Sequence, residues 1–485
     1  MRSQRPREAK MSDFDLIIIG AGAAGSHAAL EAAKAGAKIL MLDEQAEAGG
    51  QVWRAKSPSI ISAPKTPETI AGDKLRSDLK SNNILHIANA RVWQIEKNND
   101  DLWNIGYLNN GQLHNATCKA IIAATGAQER VIPVVGAQLP GVIGLAAATA
   151  LFKQHLTIPG KQTIVAGCGP LLIFTAYEIL RLGGKITAIV SLNSKTDWAK
   201  ASINMMARPD LLLRGAGWLA KIAAARTPIY WQSTITEIIG DTHIDSVNIS
   251  RVDANWSSVS QGRKTNIKAD SLCMGHGLNP AIEATKLADA THIYTPELGG
   301  WHVKTDDFGR TDKVGLFAAG DNAGIYGAGA APYRGKLAAI AVLQFLKLAN
   351  AENTDRLVAR MKSAAKFGLA TTKLTVLRAG MIKNTQQTAI ICRCETVSRQ
   401  QLEIEISSGA LSPNAIKSGT RCGMGPCGGR YCSDVVALIN QTISGKTRQQ
   451  IGLATHRPPL RPLPISAIAQ NFDYDDLPIP APAPL

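Results

Sequence analysis

The sequence predicts a multidomain α/β protein in which two βαβ units precede a small helical module. Two glycine-rich strand–turn–helix–strand patterns, opening at Leu16 and Lys161, predict the units. Sulfur marks the module: five of the eight cysteines lie between Cys392 and Cys432. A chain of 485 residues exceeds one hydrophobic core, so roughly two to four domains are expected.

The first unit is "FDLIIIGAGAAGSHAALEAAKAGAKILMLDE". The apolar strand Leu16–Ile19 enters a glycine-rich turn, an alanine-rich helix runs to about Gly36, and a second strand covers Lys38–Leu42. Gly20 permits the tight turn, and Gly22 lets the backbone approach a pyrophosphate at the helix N-terminus. Gly25 lets helix and strand pack closely. Ala23 and Ala24 complete the Gly-x-Gly-x-x-Gly pattern and open the helix. Asp43, 23 residues past Gly20, ends the second strand where a carboxylate accepts ribose hydroxyls; its neighbour Glu44 offers the same chemistry.

The second unit, "KQTIVAGCGPLLIFTAYEILRLGGKITAIVSLN", keeps Gly167 and Gly169 but replaces the third glycine with Leu172. Val190 and Ser191 stand where an acid for an NAD ribose would be, and no arginine is placed for a 2′-phosphate. The fold is therefore expected to be Rossmann-like, with a vacant or repurposed nucleotide site and no NAD(P) turnover.

Three further blocks follow in order: "GGQVWR" (Gly49–Arg54), "AIIAATGAQER" (Ala120–Arg130) and "TDKVGLFAAGDNAG" (Thr311–Gly324). With the first unit, they resemble the two-dinucleotide-domain flavoproteins that include glutathione and thioredoxin reductases. The resemblance implies FAD along a discontinuous first domain interrupted by the second. Gly50, Gln51, Arg54, Thr125, Gly126, Gly320 and Asp321 would join the turn residues, with Asp321 accepting a hydrogen bond from the ribityl–pyrophosphate region. The redox cysteine pair of disulfide reductases is missing, because none follows Gly50 until Cys118, and Cys168 and Cys273 stand alone. Dithiol exchange is not expected, and these three read as small core residues. His276, in "LCMGHGLNPAIE", reads as a hydrogen-bonded structural histidine rather than a cavity-lining one.

Cys392 and Cys394 form C-x-C, and Cys422 and Cys427 follow in "RCGMGPCGGRYC". Four thiolates hold either a 2Fe–2S cluster or structural zinc; zinc favours wider pairs, and a flavoprotein has use for a one-electron carrier. Glycines 423, 425, 428 and 429 let amides approach sulfur. Between the pairs, a helix capped by Ser398 and a second short helix are expected. Cys432 is either a spare core thiol or an alternative fourth ligand.

"CRCETV", "TRCGMGPCGGRYC" and the tail "HRPPLRPLPISAIA" resemble the opine oxidase A and hydrogen cyanide synthase B subunits, as do "ATGAQERVIPVVGAQLPGV" and "GCGPLL". Parts are shared with the α subunits of hydroxyproline dehydrogenases and heteromeric sarcosine oxidases. The module resembles bacterioferritin-associated ferredoxin, with Gly428 where the family usually has glutamine. The resemblance implies an electron-transfer subunit of a hetero-oligomer. A smaller FAD-containing, amino-acid-oxidase-like subunit would oxidise the C–N bond of an amino acid, opine or secondary amine. It further implies FAD and a 2Fe–2S cluster here, an FMN at a subunit interface, and a one-electron or quinone acceptor. The sequence offers no general base or nucleophile for substrate chemistry. Two other classes of function are a stand-alone NAD(P)H-dependent reductase and a non-enzymatic iron–sulfur scaffold.

The net charge of +15 is spread along the chain with no dense basic block or groove-reading motif, so no nucleic-acid partner is expected. No apolar run reaches the ~18 residues of a spanning helix, and no secretory h-region follows the basic start. A cytoplasmic protein is expected, with peripheral contact at the inner membrane face. Expected boundaries are a basic tail at 1–12, FAD-binding parts at 13–150 and 286–345, and the degenerate second unit at 151–285. A helical linker at 346–386, the cysteine module at 387–450 and a Pro-rich tail at 451–485 complete the chain, with an amphipathic helix expected over Lys336–Met361.

Overall fold

The computed structural model of the chain describes residues 13–82, 84–259, 265–349 and 353–469. The expected basic tail and positions 470–485 of the Pro-rich tail lie outside the described residues. Among the described residues, no helix is long and apolar enough to cross a membrane.

The run Phe14–Ile19 forms the centre of a seven-stranded sheet. Leu16 and Ile18 face a core shared with helices Ala23–Ala33 and Ala331–Phe345, while Ile17 and Ile19 face a second core with Trp103 and Ile105. A strand covered on both faces explains a continuous apolar run where a half-exposed strand would alternate. Strands Ile39–Leu42 and Gln112–Ala123 flank it in parallel register, and Leu316–Ala318 adds beside Gln112–Ala123, also parallel. The chain thus leaves this sheet, builds another body and comes back.

That second body is a five-stranded parallel sheet in the order Ile229–Trp231, Lys185–Ser191, Gln162–Gly167, Ser271–Gly275 and Val142–Gly144. An antiparallel sheet of Ser233–Ile239, Ser246–Arg251 and Thr265–Lys268 accompanies it. The connecting strands Ala127–Glu129 and Leu278–Pro280 pair with each other between the two bodies.

Three expected boundaries fall inside helices: 285/286 lies within Glu283–Leu287 and 450/451 within Arg448–Ile451. The split at 150/151 cuts the helix Leu145–His155, because Val142–Gly144 already pairs with Ser271–Gly275. A three-residue strand is too short to show a period in sequence. The helix expected over Lys336–Met361 is two helices, Ala331–Phe345 and Asp355–Lys373. The first is buried on nearly all sides and the second is amphipathic, so apolar residues of helical spacing continue from one into the other.

The cysteine module holds a small hairpin, Ile390–Cys392 with Val397–Ser398, and helices Arg399–Ser407, Pro413–Thr420 and Ser433–Ser444. Ser398 caps its helix in a reciprocal box with Gln401. The module is not a pendant: Ile391, Leu402, Ile406 and Val435 share one apolar cluster with Ile132, Cys168, Val252 and Trp256 of the second body.

Candidate cofactor site

The first glycine turn is shaped by two demands, one from the chain and one from a ligand. A Cβ on Gly20 would lie 2.4 Å from the Ala124 carbonyl oxygen, and one on Gly25 would lie 1.9 Å from the Gly20 carbonyl oxygen. Packing alone therefore requires both glycines. Gly22 is different. Its nearest non-neighbour atom would be Gly50 Cα at 3.9 Å and its φ is −72°, so the chain itself has room for a side chain there. Gly22 lines the cavity in front of the helix Ala23–Ala33, whose N-cap makes no side-chain bond to the free amides of its first turn. A side chain at 22 would fill the approach of an anion to those amides, so the turn fits a dinucleotide pyrophosphate.

Around it opens a cavity of about 1870 Å³. Gly20, Ala23, Ala24, Asp43, Glu44, Gly50, Gln51 and Arg54 line it from one side, and Thr125, Gly126, Gly320 and Asp321 from others. Gly25 stays behind the turn, where it contacts the Gly20 carbonyl. Asp43 turns inward: its carboxylate accepts the amides of Ala21 and Gln45, and burial nevertheless pushes its pKa above the usual range. Glu44 is exposed, with Arg461 Nε 3.8 Å from its carboxylate. Arg54 donates to Gln45 and Gln154, and Thr125 Oγ1 donates to the Ala281 carbonyl. Burial also raises the Asp321 carboxyl, although it accepts the amides of Tyr326 and Gly327.

Arg334 was missed by motif reading. Its buried guanidinium donates to the carbonyls of Gly320, Ala323 and Gly324 and stacks on Tyr326 with its carbon 4.3 Å from the ring centroid. It holds the loop that presents Asp321. One arginine within the alanine-rich stretch "APYRGKLAA" was the available signal. Glu129 was missed too. It lines the same cavity, accepts the Ala146 amide at 2.8 Å, and is raised by burial to about 7. His276 is buried, accepts the Ile132 amide on Nδ1, and is lowered by burial to about 3, as befits a neutral structural imidazole. Cys118, Cys168 and Cys273 are buried among apolar side chains, and burial raises all three thiols, Cys168 to about 12.

The cavity reaches the cysteine module, where Cys392, Cys394, Cys427 and Cys432 line it. The Sγ atoms of Cys392, Cys422 and Cys432 lie within 4.8 Å of one another. Cys394 accepts the Cys427 amide and has the Cys427 thiol beside it. The four expected ligands thus fall into two neighbouring groups, Cys394 beside Cys427 and Cys392 beside Cys422, and Cys432 joins the second group. Thiol donation from Cys422 and Cys432, aided by the amides of Gly423 and Glu395, lowers Cys392 to about 2. The reverse side of that sharing raises Cys422 to about 12. A Cβ on Gly425 would lie 2.1 Å from Cys394 Cβ, so only glycine lets this loop close over that sulfur. Converging soft thiolates with aimed backbone amides fit an iron–sulfur cluster. At Gly428, by contrast, a Cβ would meet only the Leu460 carbonyl oxygen at 4.0 Å.

A model of the pyridine nucleotide-disulphide oxidoreductase family matches residues 14–344, and one of the BFD-like [2Fe-2S] binding domain matches 390–440. The chain belongs to the pyridine nucleotide-disulphide oxidoreductases, extended by that C-terminal domain. Within this class it is similar to the opine oxidase A subunit of Agrobacterium tumefaciens, at 31% identity over 95% of this chain and 92% of the relative. It is also similar to the hydrogen cyanide synthase subunit HcnB of Pseudomonas aeruginosa, at 28% identity over 94% and 98%. The crystal structure of L-proline dehydrogenase from P. horikoshii shares the fold: TM-score 0.71 at 19% identity, covering 94% of this chain and 79% of that one. The chain is therefore an oxidoreductase whose domains imply FAD and a 2Fe–2S cluster.

Proposed function

We propose that this chain is the electron-transfer subunit of a heteromeric dehydrogenase or oxidase acting on an amino acid, opine or other secondary amine. FAD would lie along Gly20, Gly22 and Gly50, with Asp43 or Glu44 at its ribose and the Asp321 loop at its ribityl–pyrophosphate region. Cys392, Cys394, Cys422 and Cys427 would hold the cluster. When bound, the flavin exchanges electrons in pairs and the cluster singly. One observation carries the reading: a single cavity runs from the glycine turn to the module's cysteines.

The chain's own residues bind and orient. The Arg334 contacts fix the Asp321 loop. The amides of Gly423 and Glu395 stabilise negative charge on Cys392. Substrate oxidation is assigned to a smaller flavoprotein subunit; the subunit names of the relatives support a multisubunit assembly. An FMN at that interface and a one-electron or quinone acceptor belong to the same reading, as does peripheral membrane contact.

Co-purification with that smaller subunit, followed by a screen of opines, hydroxyproline, glycine and sarcosine, tests the assignment. The complex should bleach the flavin absorbance with one of these amines, and this chain alone should not. Amine oxidation by the isolated chain at the rate of the complex would overturn the division of labour.

A further inference from the structure

One carboxylate joins the cysteine module to the strands between the two sheet bodies. Asp434 lies in the first turn of the helix Ser433–Ser444, just beyond Cys432. Its Oδ2 stands 3.5 Å from Arg130 Nη1, and its Oδ1 accepts from Arg448 Nη2. Arg448 Nη1 also donates to the Asp434 carbonyl at 2.9 Å. Both arginines are buried, at 7% and 5% exposed.

Arg130 is itself rooted in several segments. Its Nε donates to the His276 carbonyl at 3.0 Å, Nη1 to Asn279 Oδ1 at 3.1 Å, and Nη2 to the Thr375 carbonyl at 2.6 Å. Arg448 lies over the Tyr294 ring at 5.4 Å. The acid therefore couples the connecting strands, the linker and the module. Adhesion does not require it, since the module already shares an apolar cluster with the second body. Buried ion pairs often add little net stability over apolar contact, and in some proteins their fixed directions set register.

We propose that Asp434 is a positioning residue: clamped between Arg130 and Arg448, it fixes the cysteine cluster relative to the flavin groove and so sets the rate of electron transfer between them. The inference rests on the relay reading above. In the step concerned, a one-electron-reduced flavin held in the groove would give that electron to the cluster and return to its oxidised form, releasing to solvent any proton it had taken up, while one ferric iron would become ferrous.

The test uses the full chain carrying both cofactors. A flash-generated deazaflavin radical delivers one electron to the FAD, and absorbance then follows its passage to the cluster. Asp434→Asn should keep FAD, iron and the cluster's EPR signal. It should slow the passage by about tenfold or more, the scale on which ~1 Å misplacements act on positioned reactions. Ile406→Val, which trims the module core, should lower its melting temperature and leave the rate unchanged. Equal slowing by Ile406→Val, or a wild-type rate in Asp434→Asn, would overturn the inference. If Asp434→Asn loses its cluster, Arg130→Met is measured instead; it leaves Asp434 paired with Arg448, and a wild-type rate there has the same force. Absence of flavin-to-cluster transfer in the wild-type chain would sink the relay reading itself, a different result from an unaltered variant.

Discussion

Thr375 rests against Gly169: a Cβ on that glycine would lie 2.4 Å from Thr375 Cγ2, and one on Gly277 would lie 2.7 Å from Thr375 Cβ. The linker therefore sits on the second glycine turn, where a dinucleotide would bring its pyrophosphate. Asn193 secures it, accepting the Gly169 amide and donating to the Leu374 carbonyl. Leu172 and Val190, both fully buried, supply neither the third glycine nor a ribose acid. NADH and NADPH should consequently fail to reduce the flavin. Stopped-flow mixing checks this; rapid, saturable bleaching at micromolar concentrations of either would refute it.

The glycines of the first turn should separate by mutation. Gly22→Val is expected to fold and to leave protein without flavin absorbance, since the backbone tolerates a side chain that the pyrophosphate does not. Gly25→Ala should lower stability by about 1–3 kcal/mol, the range for overpacking a core. Flavin content and thermal melting of the two variants decide the matter. Full FAD occupancy in Gly22→Val would end the assignment.

Among the cysteines, loss of Cys427 should remove the cluster, while Cys432→Ser should retain it. Iron and acid-labile sulfide should each be about two per chain with little zinc, as four thiolates on a 2Fe–2S cluster require. Retention in Cys427→Ser with loss in Cys432→Ser would move the fourth ligand to Cys432. Zinc in place of iron would defeat the cluster altogether.

Glu129 gives a pH signature. Burial holds its folded pKa at about 7, above the unfolded carboxylate value. Its contribution to stability is thus fully present below about pH 4 and is lost as pH rises through about 7. Wild type should lose up to about 3 kcal/mol relative to Glu129→Gln across that window. Denaturant melts of both proteins between about pH 4 and pH 8 measure it, and a difference that does not change with pH would contradict it.

Local patterns in the sequence foretold local structure well. The run Leu16–Ile19, the glycine turn and the Ser398 cap each carry their geometry within a few neighbouring residues, and the structure forms all of them. What escaped depends on partners distant in the chain. Arg130 has ordinary neighbours in sequence, and only the fold brings Thr375 and Asp434 to it. Glu129 is raised because the surrounding strands bury it, a property no window of residues encodes. Spacing left Cys432 as a spare thiol or a fourth ligand, and only the fold, which sets it at the head of the helix Ser433–Ser444, puts its sulfur beside those of Cys392 and Cys422.

The return of Leu316–Ala318 to the first sheet has a consequence for synthesis. Gln112–Ala123 leaves the ribosome early but lacks this neighbour until the whole second body has been made. The Asp321 loop and the helix Ala331–Phe345, which covers one face of the sheet, arrive later still. Nascent chains therefore carry an incomplete flavin groove until most of the protein is translated. Non-local pairing of this kind folds slowly and exposes apolar surface meanwhile. The module's cysteines emerge after all of these, so the module closes against a body that has already formed its connecting strands.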